Sequence, residues 1–342
     1  MPAEISTNSH LETDLWRWLL FESGLTRRRA REIILQGAQS NALSLFWEAG
    51  PTILAQQLGL SSDEAAGLSV AQADWARLRA RFEQERGQGL MTLRINEVGY
   101  PDSLARFLPL QQRPLLLFLR GDASLLDLPL ALSVAETPPD EAAIIWALET
   151  LADLTAEGAL ALFVARVGFD ARLVRMFLDA EMPFALVIPR GLNAYQPPTG
   201  LQRALDAGRV LLLSPFGPDW RPAADGEAAI SPHAAAFARA LAHAWLLLSA
   251  PAPQPAPGQP CFCAPSVVDE NCPDIYDGAE GFFLRLAEGV APIPPGVNVS
   301  APQPPPAQEP VDPTELLETL ARGGRVPPAL ARRLKHRSQN HP

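Results

Sequence analysis

Between residues 115 and 248, short uncharged apolar runs alternate with amphipathic stretches. This alternation constrains the fold more than any other feature. Leu115–Leu119, Leu130–Val134, Ala159–Ala165, Phe184–Ile188, Val210–Leu213 and Trp245–Leu248 read as strands. Helices are expected over 140–157, Asp170–Glu181, Thr199–Ala207 and His233–His243. Thr137-Pro138-Pro139-Asp140 reads as a capped helix start, with prolines in the first turn where no donor is lost. Strands that are near-continuously apolar, without polar alternation, need cover on both faces, which is the pattern of a parallel sheet between helices. The expected fold class is α/β, a Rossmann-like doubly wound domain with a mainly parallel sheet, over residues 91–289.

The first 90 residues lack strand patterning and read as short helices. Leu15, Leu19 and Leu20 begin one apolar face, and Arg27–Arg31 start the next helix. Leu43, Leu45, Phe46 and Trp47 mark another, and Ile53, Leu54 and Leu58 a further one, closed at Gly59-Leu60. Ser61-Ser62-Asp63-Glu64 is a helix cap, and a last helix is expected over Val70–Glu85. Two architectures fit, a helix-hairpin-helix or SAM-like module and a generic helical bundle. At the other end, Cys261–Pro265 reads as one more strand and Gly278–Glu288 as a last helix. Residues 290–312 form a Pro-rich linker, followed by a short basic helical tail over 313–342.

Composition removes several function classes. Hydrophobic residues make up 47% and charged residues 19%, as in globular proteins. No apolar run approaches the ~18 residues of a membrane span, and residues 1–10 lack the pattern of a secretory signal; a cytoplasmic protein is expected. The net charge of −10 argues against coating nucleic acid by bulk charge, but leaves room for a local basic groove. Lys335 is the one lysine among 28 basic residues. Arginine suits bidentate phosphate contacts, and the codon bias of a GC-rich genome accounts for the same excess. Cys261, Cys263 and Cys272 have neither zinc-site spacing nor a nearby histidine and read as reduced, partly buried thiols. No metal or cofactor is expected.

Several strings, taken in order, resemble the DNA-processing A (DprA/Smf) family. Tyr100-Pro101, followed by a Pro-led strand into Arg120-Gly121-Asp122, is similar to the entry of that family's nucleotide-binding-like domain. Ala165-Arg166-Val167-Gly168-Phe169-Asp170 resembles its Ala-Arg-Gly-Ile-Asp turn with one extra residue. Gly191-Leu192-Asn193-Ala194-Tyr195 with Pro197 is similar to its Gly-Leu-Asp and Tyr-Pro segment. Leu213-Ser214-Pro215-Phe216 and Phe262-Cys263-Ala264-Pro265 resemble two strand exits. The resemblance spans about Leu15 to Glu288. It implies single-stranded DNA binding and loading of a RecA-type recombinase in transformation or recombination, without enzymatic chemistry; a homodimer is a further expected assembly.

The sequence departs from the family pattern where phosphate is bound. The family's Gly-Ser-Arg turn reads Ala135-Glu136-Thr137 here, and a carboxylate repels phosphate at a helix entrance. Its Arg-Asn-Arg string is replaced by Ser231-Pro232-His233, with Arg239 further along. Phe163 and Val164 stand where small residues are expected. The remaining candidates for a DNA or phosphate site are Arg166, Gly168, Arg172, Arg175 and Arg190, at the carboxyl edge where open α/β sheets bind ligands. A solvated helix face and ordinary loop arginines are the plain alternative. Tyr195 and Trp220 are aromatics for base stacking or for partial packing.

No catalytic constellation emerges. Asp170 and Glu136 formally resemble an acid/base pair, but lack the glycine-rich setting of related nucleoside-monophosphate hydrolases. His233 and His243 are expected on different sides of one helix. Three readings therefore stand: a DNA-binding protein with a weakened phosphate site, a homologue that kept the scaffold as a protein-interaction module, and a nucleotide-derivative binder or hydrolase.

Overall fold

The computed structural model describes residues 3–40, 59–222, 232–251, 253–267 and 276–288. The helices expected around Leu43–Trp47 and Ile53–Leu58, the 290–312 linker, the 313–342 tail, Cys272 and Ser231 lie outside those residues. The chain forms two compact units, Met1–Asp127 with Phe163–Leu241, and Leu128–Leu162 with Ala242–Pro342.

The first unit opens with helices α1 (Ala3–Phe21), α2 (Arg27–Ser40), α3 (Ser62–Gln72) and α4 (Trp75–Gly87). Ser61 forms a capping box with Glu64 at the start of α3, as its sequence requires. The single helix expected over Val70–Glu85 is broken. Ala73 and Asp74 donate to Val70 and Ala71 carbonyls three residues back, which interrupts the four-residue ladder, and α4 then starts afresh. Leu15, Trp16, Trp18 and Leu19 of α1 are buried, so this helix is a core element.

Next come strand β1 (Met91–Arg94), helix α5 (Asp102–Phe107) and strand β2 (Leu116–Gly121). β1 was not expected. It has four residues, one of them charged, and pairs antiparallel on β2, so it carries little hydrophobic signal. β5 (Phe184–Val187) and β6 (Val210–Ser214) pair in parallel, and β2 joins β6 antiparallel. The order in this unit is β1-β2-β6-β5. Helices α7 (Phe169–Asp179), α8 (Thr199–Asp206) and α9 (Pro232–Leu241) belong to the same unit.

The second unit carries β3 (Leu130–Val134), helix α6 (Glu141–Ala156), β7 (Ala244–Leu247), β8 (Cys261–Cys263) and helix α10 (Ala279–Glu288). Strand β4 (Leu160–Val164) begins here and ends in the first unit. The order is β4-β3-β7-β8, parallel throughout. The expected mainly parallel, Rossmann-like α/β architecture is present.

Three local expectations need correction. Asp140 is the N-cap of α6, accepting the Ala143 N–H at 2.7 Å; Pro138 and Pro139 precede the cap and lie outside the first turn. α9 ends at Leu241, so His243 is not helical. Its Nδ1 accepts the Leu130 N–H at 3.0 Å and its own N–H donates to Leu130 O at 2.8 Å, which joins it to the start of β3. Ala135-Glu136-Thr137 is tied to the chain after β7: Thr137 N–H donates to Ser249 Oγ at 3.2 Å, and Glu136 is exposed.

Candidate nucleic-acid interface

The carboxyl ends of three strands, β4, β5 and β6, meet at one edge of the first unit. The Ala165 N–H donates to Val187 O at 2.9 Å, and the Ile188 N–H to Leu213 O at 2.8 Å, so the exits of β4, β5 and β6 are in register. Ser214 fastens two of these exits, since its Oγ donates to Arg190 O at 2.7 Å and accepts the Phe216 N–H at 3.2 Å. The strands are uncharged and buried; the exits carry Arg166 and Arg190.

The turn after β4 is built on Gly168, whose φ of +99° and ψ of −143° fall in a region essentially reserved for glycine. It starts α7 without a side-chain cap. Unpaired N–H groups at a helix start favour anions. Leu173 and Phe177 of α7 face the core, while Arg172 and Arg175 are exposed. Phe163 and Phe184 pack edge-on against Phe177, with centroids 5.1 and 6.3 Å from it. The bulk at Phe163, where a small residue was expected, therefore fills the core beneath α7.

Arg166 is already engaged. Its Nε donates to Asp170 Oδ2, four residues on, and its guanidinium carbon lies 4.7 Å from the Phe169 ring centroid. Asp170 is fully buried, and its Oδ1 has no hydrogen-bond partner among the described residues. Burial pushes its carboxyl up to about 6, against the opposing pull of Arg166. Asp170 thus neutralises the arginine expected to meet phosphate.

The two candidate aromatics differ. Trp220 stacks on Phe216 with centroids 4.4 Å apart, so one face of its indole is covered. Tyr195 is half-buried, which raises its phenol, while Arg190 pulls it down. Both residues lie on the loop after β5.

Arg120 and Asn193, among the residues that carried the family resemblance, serve the scaffold. Arg120 donates to Leu192 O at 3.4 Å and to Asn193 Oδ1 at 3.3 Å. A Cβ on Gly121 would lie 2.2 Å from Val210 O, so only glycine fits against β6. Many further arginines are absorbed likewise: Arg31 donates to Leu110 and Arg113 carbonyls, Arg113 to Leu108 and Ala105 carbonyls, and Arg86 pairs with Asp14. Sequence reasoning missed these bonds because partners 5 to 82 residues away leave no local signal.

Among solved structures, the chain is similar to the X-ray structure of DNA processing protein A (DprA) from Streptococcus pneumoniae. The TM-score is 0.53 with 19% identity, over 79% of this chain and 92% of that one. The fold is DprA-like. A second DprA structure, from Helicobacter pylori and concerned with that protein's single-stranded DNA binding mode, matches with a TM-score of 0.37 and 18% identity, over 68% of this chain and 95% of that one. No protein-family model matches the chain, and no curated protein does so. Within the DprA-like fold, Arg166, Gly168, Arg172 and Arg175 fall on one turn and the helix it starts, and Arg190 on the exit of the parallel strand that follows. No described helix is long and apolar enough to cross a membrane.

Proposed function

We propose that this protein binds single-stranded DNA as a DprA-like DNA-processing protein, without enzymatic chemistry, and helps to load a RecA-type recombinase in transformation or recombination. The observation that carries the reading is the convergence of parallel strand exits on an uncapped helix start flanked by arginines, within a DprA-like fold. Phosphates would meet Arg172 and Arg175 on the exposed face of α7, the Gly168 turn, and Arg166 and Arg190 at the exits of β4 and β5. Contacts of this kind recognise the backbone and leave sequence unread. The acidic balance of the chain favours a weakened site compared with the family pattern. The recombinase and a second copy of the chain are the expected protein partners.

Competition between labelled single-stranded and unlabelled duplex DNA tests the polymer preference. Single strands are expected to resist displacement by an equal concentration of duplex. Equal displacement by duplex would overturn the assignment. Purified recombinase should nucleate faster on DNA in the presence of this protein; an unchanged nucleation lag would remove the loading role.

A further inference from the structure

We propose that Asp170 occupies Arg166 in place of a phosphodiester, and that nucleic acid engages this edge by drawing the guanidinium away from the carboxylate. This inference rests on the reading that Arg166 meets phosphate.

Four observations carry it. Arg166 spends its Nε on Asp170 and one face of its guanidinium on the Phe169 ring, and its terminal nitrogens make no hydrogen bond among the described residues. Its side chain is 25% exposed, whereas that of Asp170 is 1% exposed. The arginine sits on a turn and can swing toward solvent; the carboxylate sits in the first turn of a helix and cannot follow. Asp170 Oδ1 is buried without a partner, so the pair is half-satisfied even when closed, which makes it costly to retain as structure alone.

Opening the pair leaves Asp170 buried with no counter-charge. A buried carboxylate in that condition takes a proton from solvent. Binding of one phosphodiester to Arg166 is thus coupled to uptake of one proton by Asp170. The charged groups on neighbouring elements do not substitute for Arg166. β4 and β5 carry no ionisable side chain. α7 itself carries Arg172, Arg175 and Asp179, the adjoining α8 carries Arg203 and Asp206, and the loop after β5 carries Arg190 and Tyr195. Of all these, Arg166 is the charge that acts on the Asp170 carboxyl.

The size of the effect follows from the competent fraction. With a carboxyl near 6, about 3% of molecules carry the neutral form at about pH 7.5, and apparent affinity falls by that fraction. Asp170→Asn, which keeps the shape and removes the charge, should therefore bind between about tenfold and thirtyfold more tightly at that pH.

The experiment uses the full chain and a fluorescein-labelled oligothymidylate of about 20 nucleotides, followed by anisotropy between about pH 5.5 and 7.5. Wild type, Asp170→Asn, Arg166→Ala and the double variant are compared, with a thermal melt of each to confirm folding. The expected result is tighter binding by Asp170→Asn at the upper pH, a gap that closes toward the lower pH, and loss of the gain in the double variant. If Arg166→Ala weakens binding while Asp170→Asn binds no more tightly than wild type, the competition is refuted and the phosphate role of Arg166 survives. If Arg166→Ala binds like wild type, or if nothing binds, the underlying reading falls and this inference falls with it. The wild-type profile is the arm that needs no substitution, and an affinity unchanged across the pH range overturns the coupling.

Discussion

Asn193 donates through Nδ2 to Glu85 Oε1 at 3.1 Å, across 108 residues of sequence. Glu85, on α4, also receives the Arg17 guanidinium from α1, and the two side chains are 8% and 5% exposed. Arg17 lies 4.0 Å from the Phe82 ring centroid, so its charge is enclosed by apolar carbon. The N-terminal helices thereby hold the loop that follows β5 and Arg190. Glu85→Ala strands the buried guanidinium and is expected to cost about 3–5 kcal/mol. A denaturant midpoint within error of wild type would show that the pair is not enclosed as described.

Gly121 and Gly168 make a contrasting pair. An alanine at Gly121 meets the Val210 carbonyl and also has an unfavourable φ of +114°. An alanine at Gly168 meets nothing within 4 Å, and only its φ of +99° is unfavourable. Gly168→Ala should cost about 1–3 kcal/mol, and Gly121→Ala distinctly more. Urea denaturation of the two variants side by side checks the order; equal losses would contradict it.

Asp170 gives stability a pH dependence of defined sign. Burial raises its folded carboxyl to about 6 from an ordinary 3.8, so the folded state binds the proton more tightly. The stability this supplies is fully present below the unfolded value and is lost as pH rises through about 6. Relative to Asp170→Asn, wild type should lose roughly 3 kcal/mol between about pH 3 and pH 7. Denaturation of both proteins across that window measures it, and a constant difference would refute the shift.

The capping box offers a smaller, local test. Ser61 Oγ accepts the Glu64 N–H at 3.1 Å, and Glu64 Oε2 accepts the Ser61 N–H at 2.8 Å. Ser61→Ala should lower stability by about 1 kcal/mol. The loss should appear as faster amide exchange in the first turn of α3, and unchanged exchange there would count against the cap.

The parallel core was legible because five-residue runs such as Leu160–Val164 are apolar at every position, and Leu130–Val134 departs from this only at Ser133; such runs are buried on both faces. The short edge strand Met91–Arg94 was not, because an antiparallel edge of four residues imposes almost no pattern. Arg166 was found through its place after a strand. Its capture by Asp170 was within reach of the sequence, since a residue pair four apart at a helix start is a recognised contact, but spacing does not reveal that the carboxylate is buried. The roles of Arg120, Arg31 and Arg113 were hidden, because a guanidinium bonded to distant carbonyls looks the same in sequence as one waiting for phosphate.

The most direct test is anisotropy of a labelled oligothymidylate at about 50 mM and 200 mM salt, on wild type and on a triple variant with alanine at Arg166, Arg172 and Arg175. The account predicts binding that weakens as salt rises, and a salt slope smaller by about 2 in the triple variant, at about 0.7 per phosphate contact removed. Binding indifferent to salt, an unchanged slope in the variant, or no binding at the lower salt would contradict it.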